Sequence, residues 1–201
     1  MKKKISMCAA LIVWSSVFAQ YFIMLEGSQL DLLGATVRFF SYFTILTNSL
    51  VAIYFTSQLW AKNQDIKSFW GRPGVLTAIT VYILVVGIVY QVALRHTWNP
   101  EGIARVVDEL LHTINPLLVL VFWAVFELKH KIYWTQIYSW LIYPFIYLLF
   151  TISKGYYTGF YPYPFVNVSE LGYAMVAMNS LILFGAFFGI SVGLLMIGRK
   201  I

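Results

Sequence analysis

Asp108-Glu109-Leu110-Leu111-His112-Thr113-Ile114-Asn115-Pro116 stands at the front of an apolar run that continues to Phe126. Two carboxylates, an imidazole and an amide here enter what otherwise reads as a membrane-spanning helix. A charge at the centre of such a helix costs at least about 2–3 kcal/mol, so an ionisable group at this depth reads first as a functional site. At 3.6 residues per turn, Asp108, His112 and Asn115 fall on one stripe, with Glu109 toward its flank. The stripe needs partners, and the rest of the chain has to supply them.

Composition identifies the surrounding solvent. Of 201 residues, 60% are hydrophobic, 18% aromatic and only 11% charged, with a mean hydropathy of +0.76. A soluble domain carries about 25% charged residues, so most of this surface is made for lipid. In lipid every backbone donor and acceptor has to be satisfied within the structure, which leaves helical bundles and closed barrels. Apolar runs of about 20 residues, without the short alternating segments of a barrel, select the bundle. The formal net charge of +6 does not indicate nucleic acid, because the basic residues sit at the ends of apolar runs rather than in one patch. The single cysteine, Cys8, excludes an internal disulfide and reads as a small buried side chain. The sequence holds no metal-ligand cluster, phosphate loop, nucleotide fingerprint or Gly-x-Ser-x-Gly elbow, so no metal or cofactor is expected.

The pattern predicts one all-α integral membrane domain over 1–201, a bundle of six transmembrane helices at about 5–25, 38–60, 74–94, 105–126, 134–153 and 171–197. Val17-Phe18-Ala19-Gln20 resembles a leader cleavage site, but the preceding apolar run exceeds the usual core of about 7–15 residues, which favours a retained first helix. Residues 26–37 read as a short connection, and Asn63, Gln64, Asp65, Lys67, Gly71, Arg72 and Pro73 as the next loop. One side collects Lys2, Lys3, Lys4, Lys62, Lys67, Arg72, Lys129, Lys131, Arg199 and Lys200; the other has Arg38, Arg95, Arg105 and Lys154. That asymmetry puts both termini in the cytoplasm and requires an even number of spans.

Between the last two helices, residues 154–165 mix prolines and glycines with a dense aromatic set that includes Tyr161 and Tyr163. The prolines argue against regular helix, and Gly155 and Gly159 permit sharp turns. The segment is either an interfacial aromatic belt or a cap over an outward-facing cavity. Asn167-Val168-Ser169 also matches a glycosylation acceptor.

Counted from Arg38 and Arg105 at 1.5 Å per residue, Thr44 and His112 lie about 9 and 10 Å below the outer boundary. Gln20, Gln91 and Asn179 fall within about a turn of that level. Ser41, Thr44 and Asn48 form a stripe on the second helix, as Asp108, His112 and Asn115 do on the fourth. Several helices thus offer hydrogen-bonding groups to one outer layer, either as a functional site or as interhelical glue. The chemistry that fits is a threonine hydroxyl activated by a histidine base. Asp108 could orient the ring, and Asn48 or Asn115 could donate to an oxyanion. A small transporter or channel using the same layer is the alternative, although no internal repeat is evident.

Three segments carry a family resemblance: Phe40-Ser41-Tyr42-Phe43-Thr44-Ile45-Leu46-Thr47-Asn48, Leu110-Leu111-His112-Thr113-Ile114-Asn115-Pro116 and Gly159-Phe160-Tyr161-Pro162-Tyr163-Pro164-Phe165. Together they resemble the androgen-induced membrane protein family, and most closely its bacterial branch of six-helix membrane proteins. The animal members hydrolyse fatty acid esters of hydroxy fatty acids with an intramembrane threonine and histidine. The resemblance implies Thr44 as nucleophile and His112 as its partner, a lipid ester as substrate and a bacterial cytoplasmic membrane as location. Thr47, one turn on, is a second hydroxyl in the same segment.

Overall fold

In the computed structural model, which describes residues 1–60 and 68–200, no strand occurs among the described residues. The helices are α1 (Lys2–Glu26), α2 (Leu32–Phe39), α3 (Phe43–Trp60), α4 (Val75–Leu94), α5 (Gly102–Phe126), α6 (Gln136–Thr158) and α7 (Val168–Gly198). Five are long and apolar enough to cross a membrane, and α2 with α3 makes a sixth if the bent pair is one span. The predicted loop residues Asn63, Gln64, Asp65 and Lys67 lie outside the described residues.

The most apolar part of α4, Val75 to Leu94, is 67% buried, against 28% for α1 and α7 and 22% for α6. A helix that is hydrophobic on every face belongs inside a bundle, so α4 is the central element. Ile83 of α4 is fully enclosed, as are Val13, Val51, Phe55 and Val119 of the same apolar core. The Phe55 and Phe122 rings meet edge to face at 5.0 Å. Outward faces carry exposed Leu11, Val92, Val121, Leu181 and Ile182, as lipid contact demands. Cys8 lies on that outer side and is exposed, not buried as expected, because α1 turns Ala9, Ala10 and Val13 inward instead.

Several predicted boundaries shift. The predicted helix at 38–60 is broken: α2 and α3 meet at 79°, and α2 occupies much of the expected 26–37 connection. Asp31 starts α2 by accepting from the Gly34 amide at 3.0 Å, a side-chain cap. At the bend, the Ser41 carbonyl accepts the Tyr147 hydroxyl at 2.8 Å, so the break leaves that oxygen satisfied within the protein. α6 runs past the expected end at 153 to Thr158, and Gly159, at φ 69°, ends it in the left-handed region. Gly155 is therefore helical; the Tyr161 ring packs where its side chain would be. Asn167 caps α7, accepting from the Ser169 amide at 3.1 Å, and α7 changes direction at Gly172 (φ 73°, ψ 161°).

Two π turns interrupt α4 and α5, at Tyr90–Leu94 and Leu110–Ile114. Pro116 accounts for the second, since its ring carries no N–H and crowds the carbonyl four residues back, at His112. The Asn115 amide reaches the Leu110 carbonyl instead. A side chain at Gly87 of α4 would come within 3.0 Å of the His112 carbonyl and 3.3 Å of Pro116, so this glycine lets the two helices close at the turn. At the other end of α4, Glu127 accepts the Thr77 amide and hydroxyl, both at 3.0 Å, and completes the α4 N-terminus.

Gly155→Ala is expected to lower stability by about 1–3 kcal/mol, because its methyl group overlaps the Tyr161 ring. Gly185→Ala, with open space around it, should be neutral or stabilising by up to about 1 kcal/mol. Thermal unfolding in detergent compares the two; equal losses would contradict this packing.

Candidate functional site

The bend places Thr44 at the second residue of α3, in the turn whose amides lack helical partners. The Thr44 amide donates to the Tyr163 hydroxyl at 3.2 Å, and the two side-chain hydroxyls are 3.3 Å apart. Burial holds the Tyr163 phenol above its ordinary pKa, so it stays neutral. Thr44 is 8% exposed and lines a largely apolar cavity with Phe43, Val86, Val89, Phe165 and Leu183. Thr47 is fully enclosed, 3.4 Å from the Tyr143 hydroxyl, and is not among the residues lining that cavity.

One turn below Thr44, the Asn48 amide donates to the Thr44 carbonyl at 2.9 Å and to the Leu111 carbonyl at 3.3 Å. Asn115 donates to the Asn48 side-chain oxygen at 2.8 Å and to the Ser16 hydroxyl at 3.0 Å. Both asparagines are fully enclosed, and this amide chain ties α1, α3 and α5 together at one level. The Asn115 side-chain oxygen has no partner among the described residues.

His112 projects from the α5 π turn with its side chain 13% exposed. Its Nδ1 lies 3.0 Å from the Asp108 carbonyl and 3.1 Å from the Asp108 carboxylate. Both neighbours are acceptors, which assigns the proton to Nδ1 and leaves a lone pair on Nε2 in the neutral ring. Helical spacing thus brings Asp108 to the ring without help from another helix. Tyr90, at the start of the α4 π turn, stacks on the imidazole with centroids 4.1 Å apart and planes 12° apart. Its hydroxyl donates to the other Asp108 oxygen.

The other expected members divide into two groups. Gln91 joins a separate network: it donates to Thr113 at 2.9 Å and accepts from Arg95 at 2.7 Å, while Glu109 accepts from Thr113 at 2.7 Å and pairs with Arg95. Asn179 donates to the Phe165 carbonyl at 2.9 Å and so ties the 159–167 segment to α7. Tyr163 and Phe165 stack at 5.2 Å and line the cavity together with Val166. Tyr161 of the same segment is wedged at Gly155. Ser16 and Tyr90 are the members that sequence spacing missed. No hydrogen bond joins Thr44 to His112, and His112 is not among the residues lining the Thr44 cavity.

The His112 geometry makes a spectroscopic prediction. In protein labelled with 15N at histidine, the neutral His112 ring should show a protonated Nδ1 and a bare Nε2. A protonated Nε2 would contradict the arrangement with Asp108. In comparisons with family models, with curated proteins and with solved structures, nothing matches the chain.

Proposed function

We propose that this chain is an intramembrane hydrolase of fatty-acyl esters, with Thr44 as nucleophile and His112 as base. The observation that carries the proposal is a pair of positions. A threonine hydroxyl borders a lipid-like cavity, and Asn48 links its backbone to that beside an aspartate-held imidazole with a free Nε2. The resemblance of the segments around Thr44 and His112 to the androgen-induced membrane proteins supports the same pair.

In this reading an acyl chain occupies the apolar cavity and presents its ester carbonyl to Thr44. His112 takes the hydroxyl proton as the threonine oxygen bonds to the carbonyl carbon, then returns it to the departing alcohol. Water, deprotonated by the same ring, splits the acyl-threonine and regenerates the hydroxyl. Tyr163, already at the Thr44 amide and hydroxyl, is the nearest donor for the oxyanion. Asp108 is a positioning residue that holds the tautomer. The mechanism requires Nε2 to reach Thr44 when substrate is bound, directly or through one water, a geometry that tightens in loaded sites. Six spans, both termini in the cytoplasm and a cavity in the outer half of a bacterial cytoplasmic membrane complete the reading, on the asymmetry of the basic residues.

A fluorophosphonate probe should label the purified protein and the Thr47→Ala variant but spare Thr44→Ala. His112→Ala should lower turnover of a lipid ester by about 10²–10⁴-fold. Labelling that survives in Thr44→Ala would reject the nucleophile. Solute flux in proteoliposomes without ester turnover would replace hydrolysis by transport.

A further inference from the structure

Arg38, at the end of α2, and Lys154, near the end of α6, stand apart from the other basic residues of their side. Arg95 is paired with Glu109 and Arg105 is exposed. Arg38 and Lys154 are both half-buried. The Arg38 guanidinium lies 4.4 Å from the centre of the Phe160 ring and the Lys154 ammonium 4.9 Å from it, so the two charges are at most the sum of those distances apart. Among the described residues neither has a carboxylate within 4.0 Å. Lys154 donates to the Ser41 hydroxyl, which itself donates to the Val37 carbonyl at 2.5 Å; Arg38 makes no side-chain hydrogen bond among the described residues.

Two like charges gathered at one aromatic ring repel each other, and the ring compensates for each only in part. An anion between them removes the repulsion and takes the unused N–H groups. Lys154 shares Ser41 with Tyr147, and Tyr147 lines the Thr44 cavity. One residue, Tyr147, thus separates the Ser41 that Lys154 holds from the apolar cavity. A free anion uses only the charges, whereas an anionic lipid uses charges and cavity together.

We infer that Arg38 and Lys154, which share the Phe160 ring, form a binding site for the phosphate headgroup of an anionic membrane lipid. The site reads charge through the guanidinium fork and the ammonium, while an acyl chain of the same lipid lies toward the cavity. This inference does not require ester hydrolysis: a protein that holds such a lipid without cleaving it satisfies it equally.

Native mass spectrometry of the full-length protein from mixed micelles tests the site with phosphatidylglycerol, phosphatidylcholine and inorganic phosphate. One phosphatidylglycerol should be retained in preference to phosphatidylcholine. Arg38→Gln combined with Lys154→Gln should weaken its binding at least fivefold, whereas Arg199→Gln with Lys200→Gln should leave that molecule bound. The charge-keeping pair Arg38→Lys and Lys154→Arg should retain binding, which separates lost charge from lost fold. The readout is retained lipid rather than ester turnover, so a failed hydrolase would not be mistaken for a failed site. Equal retention of phosphatidylcholine, unchanged binding in the Gln pair, or displacement of the lipid by millimolar inorganic phosphate would overturn the inference.

Discussion

The amide chain from Ser16 through Asn115 to Asn48 fixes how α1, α3 and α5 pack. In hydrocarbon an unpaired amide has no water to turn to, so three helices are held in whatever register lets these side chains meet. That register sets Leu111 of α5 opposite Thr44 of α3, because one Asn48 nitrogen serves both carbonyls. Apolar packing above and below would tolerate small slides of one helix along another. The asparagines do not, since a slide leaves buried donors unmatched.

Irregular backbone surrounds the same level. Pro116 removes a donor from α5, the π turn before it reassigns the Asn115 amide, and Gly87 lets α4 close against the freed His112 carbonyl. A second π turn begins in α4 at Tyr90, which stacks on His112 and bonds to Asp108. Single π turns within α-helices are frequent at functional sites. Here they bring an aromatic face and an aspartate to one imidazole. In α3's first turn, after the break between α2 and α3, the Thr44 amide donates to Tyr163 of the 159–167 segment. The threonine and the histidine thus belong to two differently built halves of one layer, bridged by Asn48.

The spans and the polar level were legible in the sequence because hydropathy and helical spacing act locally. Asp108 and His112 lie four residues apart on one helix, and their contact follows from that spacing alone; Asn115, after the π turn, bonds instead to Ser16 and Asn48. The bend before Phe43 was not legible: Phe40-Ser41-Tyr42 holds no glycine or proline, and what stabilises the break is Tyr147, more than a hundred residues away in the chain. Depth counted from Arg38 does not carry across a 79° turn. Tyr90 was missed because the π turn it opens departs from the 3.6-residue period, and the same effect set Gln91 with Thr113 rather than with His112. Residues 154–158 read as loop from their composition, yet Tyr161 packing on Gly155 stabilises another turn of α6.

Where an acyl group rests during turnover distinguishes a threonine hydrolase from every other reading of this bundle. Purified protein is mixed with a fatty-acyl ester carrying an isotopic label in its acyl half, quenched in acid within the first turnover, digested and mapped by mass spectrometry. The account predicts the labelled acyl group on Thr44, decaying as free fatty acid appears. Acyl label on Thr47, or ester cleavage with no residue acylated at any quench time, would contradict it.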